Sequence, residues 1–176
     1  MSKALETFES SIKDAEELLT IYKAQPKTSP DTGEVLKRAG LVMAMTAWET
    51  YVEDRIREEI QVLLKLLNGS HAGQFILDSL EEELKRFHNP TADKTRRLFL
   101  DYLNVDVTAK WEWNNCEPKM AKTTLDELMG KRGDAVHRSR AITSGEPAPH
   151  PVKKDDLVKA IGFLRNLVIA TDRALT

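Results

Sequence analysis

The sequence predicts an all-α bundle of five to six helices in a single domain, 1–176, and three observations carry that expectation. Apolar residues recur at alternating spacings of three and four along most of the chain. Aromatic residues make up only 6%, while charged residues, at 31%, are interleaved with apolar ones as on amphipathic helices. No stretch shows the period-two alternation of a strand. With 176 residues and 41% hydrophobic content, the chain suits one domain with a real core and is short for two.

Each element has its own signal. An N-terminal helix, 1–25, places Leu5, Phe8, Ile12, Ala15, Leu19 and Tyr22 on one narrow face, and "PKTSPDTG" breaks it. A long helix, 34–67, carries Leu36, Ala39, Met43, Trp48, Tyr51, Val52, Ile56, Ile60, Leu63, Leu64 and Leu67, with only Gly40 inside, and "NGS" ends it. A third helix over 74–87 shows Phe75, Ile76, Leu80, Leu84 and Phe87 before "HNP" stops it. "TADKTRRLFLDYL" makes a short helix, and "NVDVTAKWEWNN" is a connector with a turn of helix near Trp111. Pro118 is placed as the first residue of a helix over 117–138. A proline-rich loop, "TSGEPAPHPV", leads to a C-terminal helix, 153–174, with Leu157, Ile161, Leu164, Val168 and Ile169 on one face. Trp48 belongs to a buried stripe, whereas Trp111 or Trp113 is expected to be partly exposed.

The segment "LDELMGKRGDAVHRSRAI", 125–142, breaks its own pattern. Positions 125, 128, 129, 132 and 136 form one stripe, so Arg132 occupies a place where Leu125, Leu128 and Met129 predict another apolar residue. A charge directed at a packed surface needs a carboxylate, a carbonyl or an anionic ligand. His137 lies about 140° further round an ideal helix, so the two side chains converge only at an irregular helix end or across an interface. Gly130 and Gly133 supply such irregularity. Two readings stand at this level: Arg132 pairs with an acid of the long helix and His137 begins a surface loop, or the two form a site.

Composition excludes several classes. No apolar run approaches the roughly 18 residues of a membrane span, and "MSKALETFESSIKD" has acidic residues where a signal peptide has its apolar core, so a cytoplasmic protein without a membrane partner is expected. Cys116 is the single cysteine, which rules out an intrachain disulfide or a thiolate cluster. His71, His88 and His150 lack partners at metal-ligand spacing and read as loop or cap residues, so no metal is expected. No Gly-rich phosphate loop indicates a nucleotide, and Ser144–Gly145 is not a nucleophile elbow, so no cofactor is expected. The net charge of −2 argues against a general nucleic-acid scavenger. Locally, "KRGDAVHRSR" sets Lys131, Arg132, Arg138 and Arg140 against Asp134, and "KRFHNPTADKTRR" sets five basic residues against Asp93. Acidic runs in "ETYVEDRIREE" and "DSLEEE" offer intramolecular partners for both.

"RGDAVH" is an R-x4-H motif late in the penultimate helix, followed by a polar loop, and it resembles the signature of the HEPN superfamily. "RAGLVMAMTAWETYVEDRIRE" and "RFHNPTADKTRRLFLDYLNVDVTAKW" resemble the second-helix segment and the Phe, Pro, apolar-pair and Trp connector of the RiboL-PSP-type branch. The resemblance covers roughly residues 35–170. It implies a HEPN-like bundle that forms a homodimer through the motif helix, bringing two motif pairs to one cleft and covering apolar residues such as Val136 or Met129.

The resemblance also implies a metal-independent endoribonuclease of single-stranded RNA, as in toxin–antitoxin or phage-defence systems, with an antitoxin or a neighbouring protein as a further partner. Arg132 would stabilise charge on the phosphate, and His137, an imidazole able to hold or release a proton near neutrality, would serve as base or acid. Glu49 in "AWETY" would orient one of them, Asp134 would stand in for a polar residue after the motif arginine, and Lys131, Arg138 and Arg140 would draw in RNA. Many active members carry a polar residue directly after the arginine, where this chain has Gly133. That departure keeps a second function class open: a non-catalytic dimer binding RNA, a nucleotide or a protein.

Overall fold

The computed structural model describes residues 1–25, 30–137 and 152–175. α1 (Lys3–Ala24) begins where Ser2 Oγ accepts the Leu5 N–H at 3.1 Å, and it buries Leu5, Phe8, Ile12, Ala15 and Leu19. α2 (Pro30–Leu63) runs antiparallel to it. Near one end of the pair, Glu58 accepts the Ala4 N–H at 2.7 Å; at the other, Gly33 lies against Tyr22. α2 opens four residues before Glu34 because Pro30, lacking an N–H and fixed in φ, suits a first helical position.

The far end of α2 departs from expectation. Regular winding stops at Leu63, and Leu64–Leu67 continue as a 3-10 turn. Leu63 and Leu67 thereby leave the buried stripe and are exposed. α3 (His71–Leu84) starts three residues earlier than its apolar pattern because Ser70 Oγ accepts the Gly73 N–H at 3.0 Å. It packs against that turn at the end of the bundle, with Leu80 and Leu84 buried in the core and Phe75 exposed.

α4 (Ala92–Leu103) is capped by Thr91 and ends at Asn104, whose φ of 55° is left-handed. A 3-10 turn, Val107–Lys110, follows, then α5 (Pro118–His137) and α6 (Lys154–Ala174). Among the described residues there is no strand, only one isolated bridge between Trp113 and Cys116.

The core is organised on α2. Trp48 stacks on Tyr51 at 5.8 Å and meets the edge of Trp111 at 6.0 Å, and all three are fully buried. Their polar atoms are answered from α6 and the 88–90 loop: Trp111 Nε1 donates to Thr171 Oγ1 at 2.9 Å, Tyr51 Oη to the Val168 carbonyl at 3.0 Å, and Trp48 Nε1 to the Pro90 carbonyl at 3.1 Å. Of the two connector tryptophans, Trp113 is the half-exposed one, tilted against Phe163.

α6 lies parallel to α2. A Cβ on Gly40 would stand 2.7 Å from Leu157 Cδ2, so the two helices close there only over a hydrogen. Further along, Arg55 bonds Asp172 at 2.8 Å and Glu59 at 2.5 Å. The buried face of α6 includes Leu157, Ile161, Leu164, Leu167 and Val168; Ile169, expected on it, is turned to solvent as Leu167 takes the core position.

Candidate active site around Arg132

The stripe that raised the question surfaces at Arg132. Leu125, Leu128 and Met129 are buried, the Arg132 side chain is 21% exposed, and Val136, one turn on, is 52% exposed. Met129 is thus core within one chain, so of the two apolar residues expected to await a partner only Val136 is available. Arg38 of α2 secures the end of the helix, its Nη2 donating to the Ala135 carbonyl at 2.7 Å and its Nε at 3.3 Å. That carbonyl is one of the last-turn acceptors a helix cannot satisfy itself.

Two groups face the guanidinium among the described residues. Nη2 lies 3.7 Å from Glu49 Oε2, an ion pair too long for a hydrogen bond. Nη1 donates to Asn89 Oδ1. Nε is buried and has no hydrogen-bond partner among the described residues. The second oxygen of Glu49, Oε1, lies 3.7 Å from His88 Nδ1, and that imidazole is 70% exposed. One carboxylate on α2 therefore faces an arginine of α5 and a histidine of the α3–α4 loop.

The loop is held by its own chemistry. Asn89 has φ 55°, a left-handed conformation asparagine tolerates better than most residues, and the Thr91 N–H returns to its carbonyl at 2.9 Å. Lys94 Nζ donates to the His88 carbonyl at 2.5 Å, Trp48 reaches the Pro90 carbonyl, and Asp126 of α5 accepts the Ala92 N–H at 2.8 Å. Trp48 is the neighbour of Glu49, so the residue that pins the loop and the residue that receives it are adjacent on α2.

The sequence-predicted residues fall in different places. Arg132 and Glu49 meet. Asp134, half-buried, is two residues past Arg132 and so about 200° round the helix from it. Lys131 is engaged by Asp156 of α6, Nζ to Oδ1 at 3.1 Å. Burial alone would raise the Asp156 carboxyl, but the Lys153 N–H and Lys131 hold it below the usual range. His137 closes α5, and its side chain, like Arg138, Arg140, the Ser144–Gly145 turn and His150, lies outside the described residues.

Sequence reasoning missed Asn89 and His88. "HNP" reads as a helix stop, and nothing in its spacing shows that it lies against a residue 43 positions away. Among the described residues, no group of three or more His, Cys, Asp and Glu side chains could hold a metal ion, and no helix is long and apolar enough to cross a membrane.

Fold and site together define an α-helical bundle in which a late helix turns an arginine out of its apolar stripe towards a carboxylate on the long second helix. The chain matches the RiboL-PSP-HEPN family over residues 9–176 and belongs to that family. No curated protein and no solved structure matches it.

Proposed function

We propose that the protein is a metal-independent endoribonuclease that cleaves single-stranded RNA, working as a homodimer in the cytoplasm, of the kind found in toxin–antitoxin and phage-defence systems. The observation that carries this is the state of Arg132 on a chain of this family: a partly exposed side chain whose guanidinium is, among the described residues, held by one amide oxygen and faced by a carboxylate beyond hydrogen-bond distance. An arginine kept as a structural tie would be expected in a short bidentate pair, as Arg165 is with Glu16 at 2.5 and 3.1 Å. Arg132 keeps donors for a phosphate, and Glu49 and Asn89 orient the fork before the phosphate arrives.

The reaction needs little else. The RNA's own 2′-oxygen attacks the adjacent phosphorus, a base takes the hydroxyl proton, Arg132 stabilises the added negative charge on the non-bridging oxygens, and an acid protonates the departing 5′-oxygen. His137, in the last turn of α5, is the proton carrier offered by the motif; Lys131, Arg138 and Arg140 lie in the same basic stretch and serve RNA attraction. Dimerisation through α5 would cover Val136 and bring the two motif helices together.

Gly133 favours the second reading, a non-catalytic dimer that binds RNA, a nucleotide or a protein through the same face. A Cβ at Gly133 would meet nothing within 4 Å among the described residues, so no described neighbour imposes the glycine, and the position after Arg132 offers no polar group.

The two readings separate on purified protein. Cleavage of single-stranded RNA by wild type, abolished in Arg132→Ala and not restored by Arg132→Lys, supports the enzyme, because a point charge does not reproduce a planar fork. RNA left intact by wild type, with binding lost in Arg132→Ala, supports the second. Light scattering at micromolar concentration should give the mass of two chains; the mass of one counts against the dimer.

A further inference from the structure

We propose that His88 is the group that takes the proton from the 2′-hydroxyl, with Glu49 as its orienting carboxylate, so that His137 is left to protonate the departing 5′-oxygen. The inference rests on the ribonuclease reading and adds to it a second proton carrier on the same chain.

Three observations lead there. First, the two oxygens of Glu49 are divided between two chemical functions: Oε2 faces the Arg132 guanidinium and Oε1 faces His88 Nδ1, each at 3.7 Å. Arg132, the candidate phosphate ligand, and the imidazole thereby flank one carboxylate. Second, Glu49 Oε1 faces the ring from its Nδ1 side, beyond hydrogen-bond distance at 3.7 Å, which leaves Nε2 on the open side of the ring as the working nitrogen. Third, the ring is exposed while its backbone is fixed. His88 is 70% exposed, yet its carbonyl accepts Lys94 Nζ, its N–H donates to the Arg86 carbonyl at 3.0 Å, and buried Phe87 anchors the residue before it. A surface histidine of no consequence has no need of a carboxylate that is itself only 16% exposed and shared with an arginine.

The step balances within the RNA. The 2′-oxygen–phosphorus bond forms and the phosphorus–5′-oxygen bond breaks, its electron pair leaving on the 5′-oxygen. The 2′-hydroxyl proton passes to His88 Nε2, and the 5′-oxygen receives a proton from His137. The products are a 2′,3′-cyclic phosphate and a 5′-hydroxyl, with no oxidant or metal consumed.

Sulfur in place of the bridging 5′-oxygen distinguishes the two histidines, because a thiolate leaves without a proton, the thiol's own pKa being about 8.5. Single-turnover cleavage would be measured for wild type, His88→Gln and His137→Gln on an RNA oligonucleotide carrying one mapped cleavage site, with oxygen and with sulfur there. Affinity would be measured on the same oligonucleotide made 2′-deoxy at that site. His88→Gln should slow both substrates by about 10²-fold or more while binding the deoxy analogue as wild type does; His137→Gln should be slow on oxygen and largely recovered by sulfur. His88→Gln cleaving at the wild-type rate, or recovered by sulfur, overturns the assignment while leaving the ribonuclease reading standing. Wild type that cleaves neither substrate overturns both.

Discussion

Asn89 is where the geometry of the candidate site is most open to measurement. Its Oδ1 accepts from Arg132 Nη1, and its backbone sits at φ 55°. These two features respond to different substitutions. Asn89→Gly keeps the backbone at ease and removes only the acceptor. A hydrogen bond to a charged group contributes about 1.5–3 kcal/mol, and water reaching the one-fifth exposed Arg132 side chain recovers part of it, so the loss should be about 1–2 kcal/mol. Asn89→Ala loses the same acceptor and in addition places a Cβ in the left-handed region, a further cost of about 1 kcal/mol. Urea unfolding should therefore rank wild type above Asn89→Gly above Asn89→Ala, through the midpoint and with unchanged slope. The same Asn89→Gly protein should keep the wild-type mass in light scattering but, on the ribonuclease reading, cleave RNA more slowly, since its arginine fork has lost an orienting partner. An Asn89→Gly protein as stable as wild type, or an alanine variant equal to the glycine variant, would refute the contact and the strain respectively.

Three further outcomes follow from the same structure. Trp111→Phe should cost about 2 kcal/mol in denaturant unfolding, because a fully buried ring shrinks and its bond to Thr171 Oγ1 is lost, while that hydroxyl still donates to the Leu167 carbonyl. Gly162→Ala should raise stability by about 0.5–1 kcal/mol, since a Cβ inside α6 would meet nothing within 4 Å among the described residues; a lower thermal midpoint would show that another surface lies against that face. Asp106 caps the Val107–Lys110 turn, and although burial opposes its charge, the Thr108 hydroxyl, the Ala109 N–H and Lys122 hold its carboxyl below the usual range. A depressed carboxyl stabilises above its unfolded value of about 3.9 and loses that contribution as pH falls through its folded value, so Asp106→Ala should be about 1 kcal/mol less stable at pH 7, with the gap closing from about pH 4 downwards in chemical unfolding.

Much of the fold is legible because helical spacing and burial coincide. Leu5, Phe8, Ile12, Ala15 and Leu19 of α1 lie in the core as their spacing predicts, and Pro118 opens α5. Legibility fails where tertiary context decides. Leu63, Leu67 and Phe75 continue apolar stripes in sequence but face solvent, because α2 gives way to a 3-10 turn against which short α3 packs. At the site, Arg132 was visible as a charge in an apolar register and Glu49 as a mid-helix acid. Asn89 and His88 were not, since loop residues carry no period and reach Arg132 and Glu49 through the bond from Trp48 to Pro90. Lys131 is legible only in part: its basic run predicts a nucleic-acid contact, and its pairing with Asp156 of α6 shows only in the fold.

The ends left on cleaved RNA test the central claim most directly. Purified protein would be incubated with single-stranded RNA in excess EDTA, and the fragments weighed by mass spectrometry. The ribonuclease reading predicts fragments ending in a 2′,3′-cyclic phosphate or its 3′-phosphate hydrolysis product, matched by 5′-hydroxyl ends, no cut where the target nucleotide is 2′-deoxy, and no product from Arg132→Ala. Intact RNA from a broad panel, or fragments with 3′-hydroxyl and 5′-phosphate ends that form only when metal is restored, would contradict it.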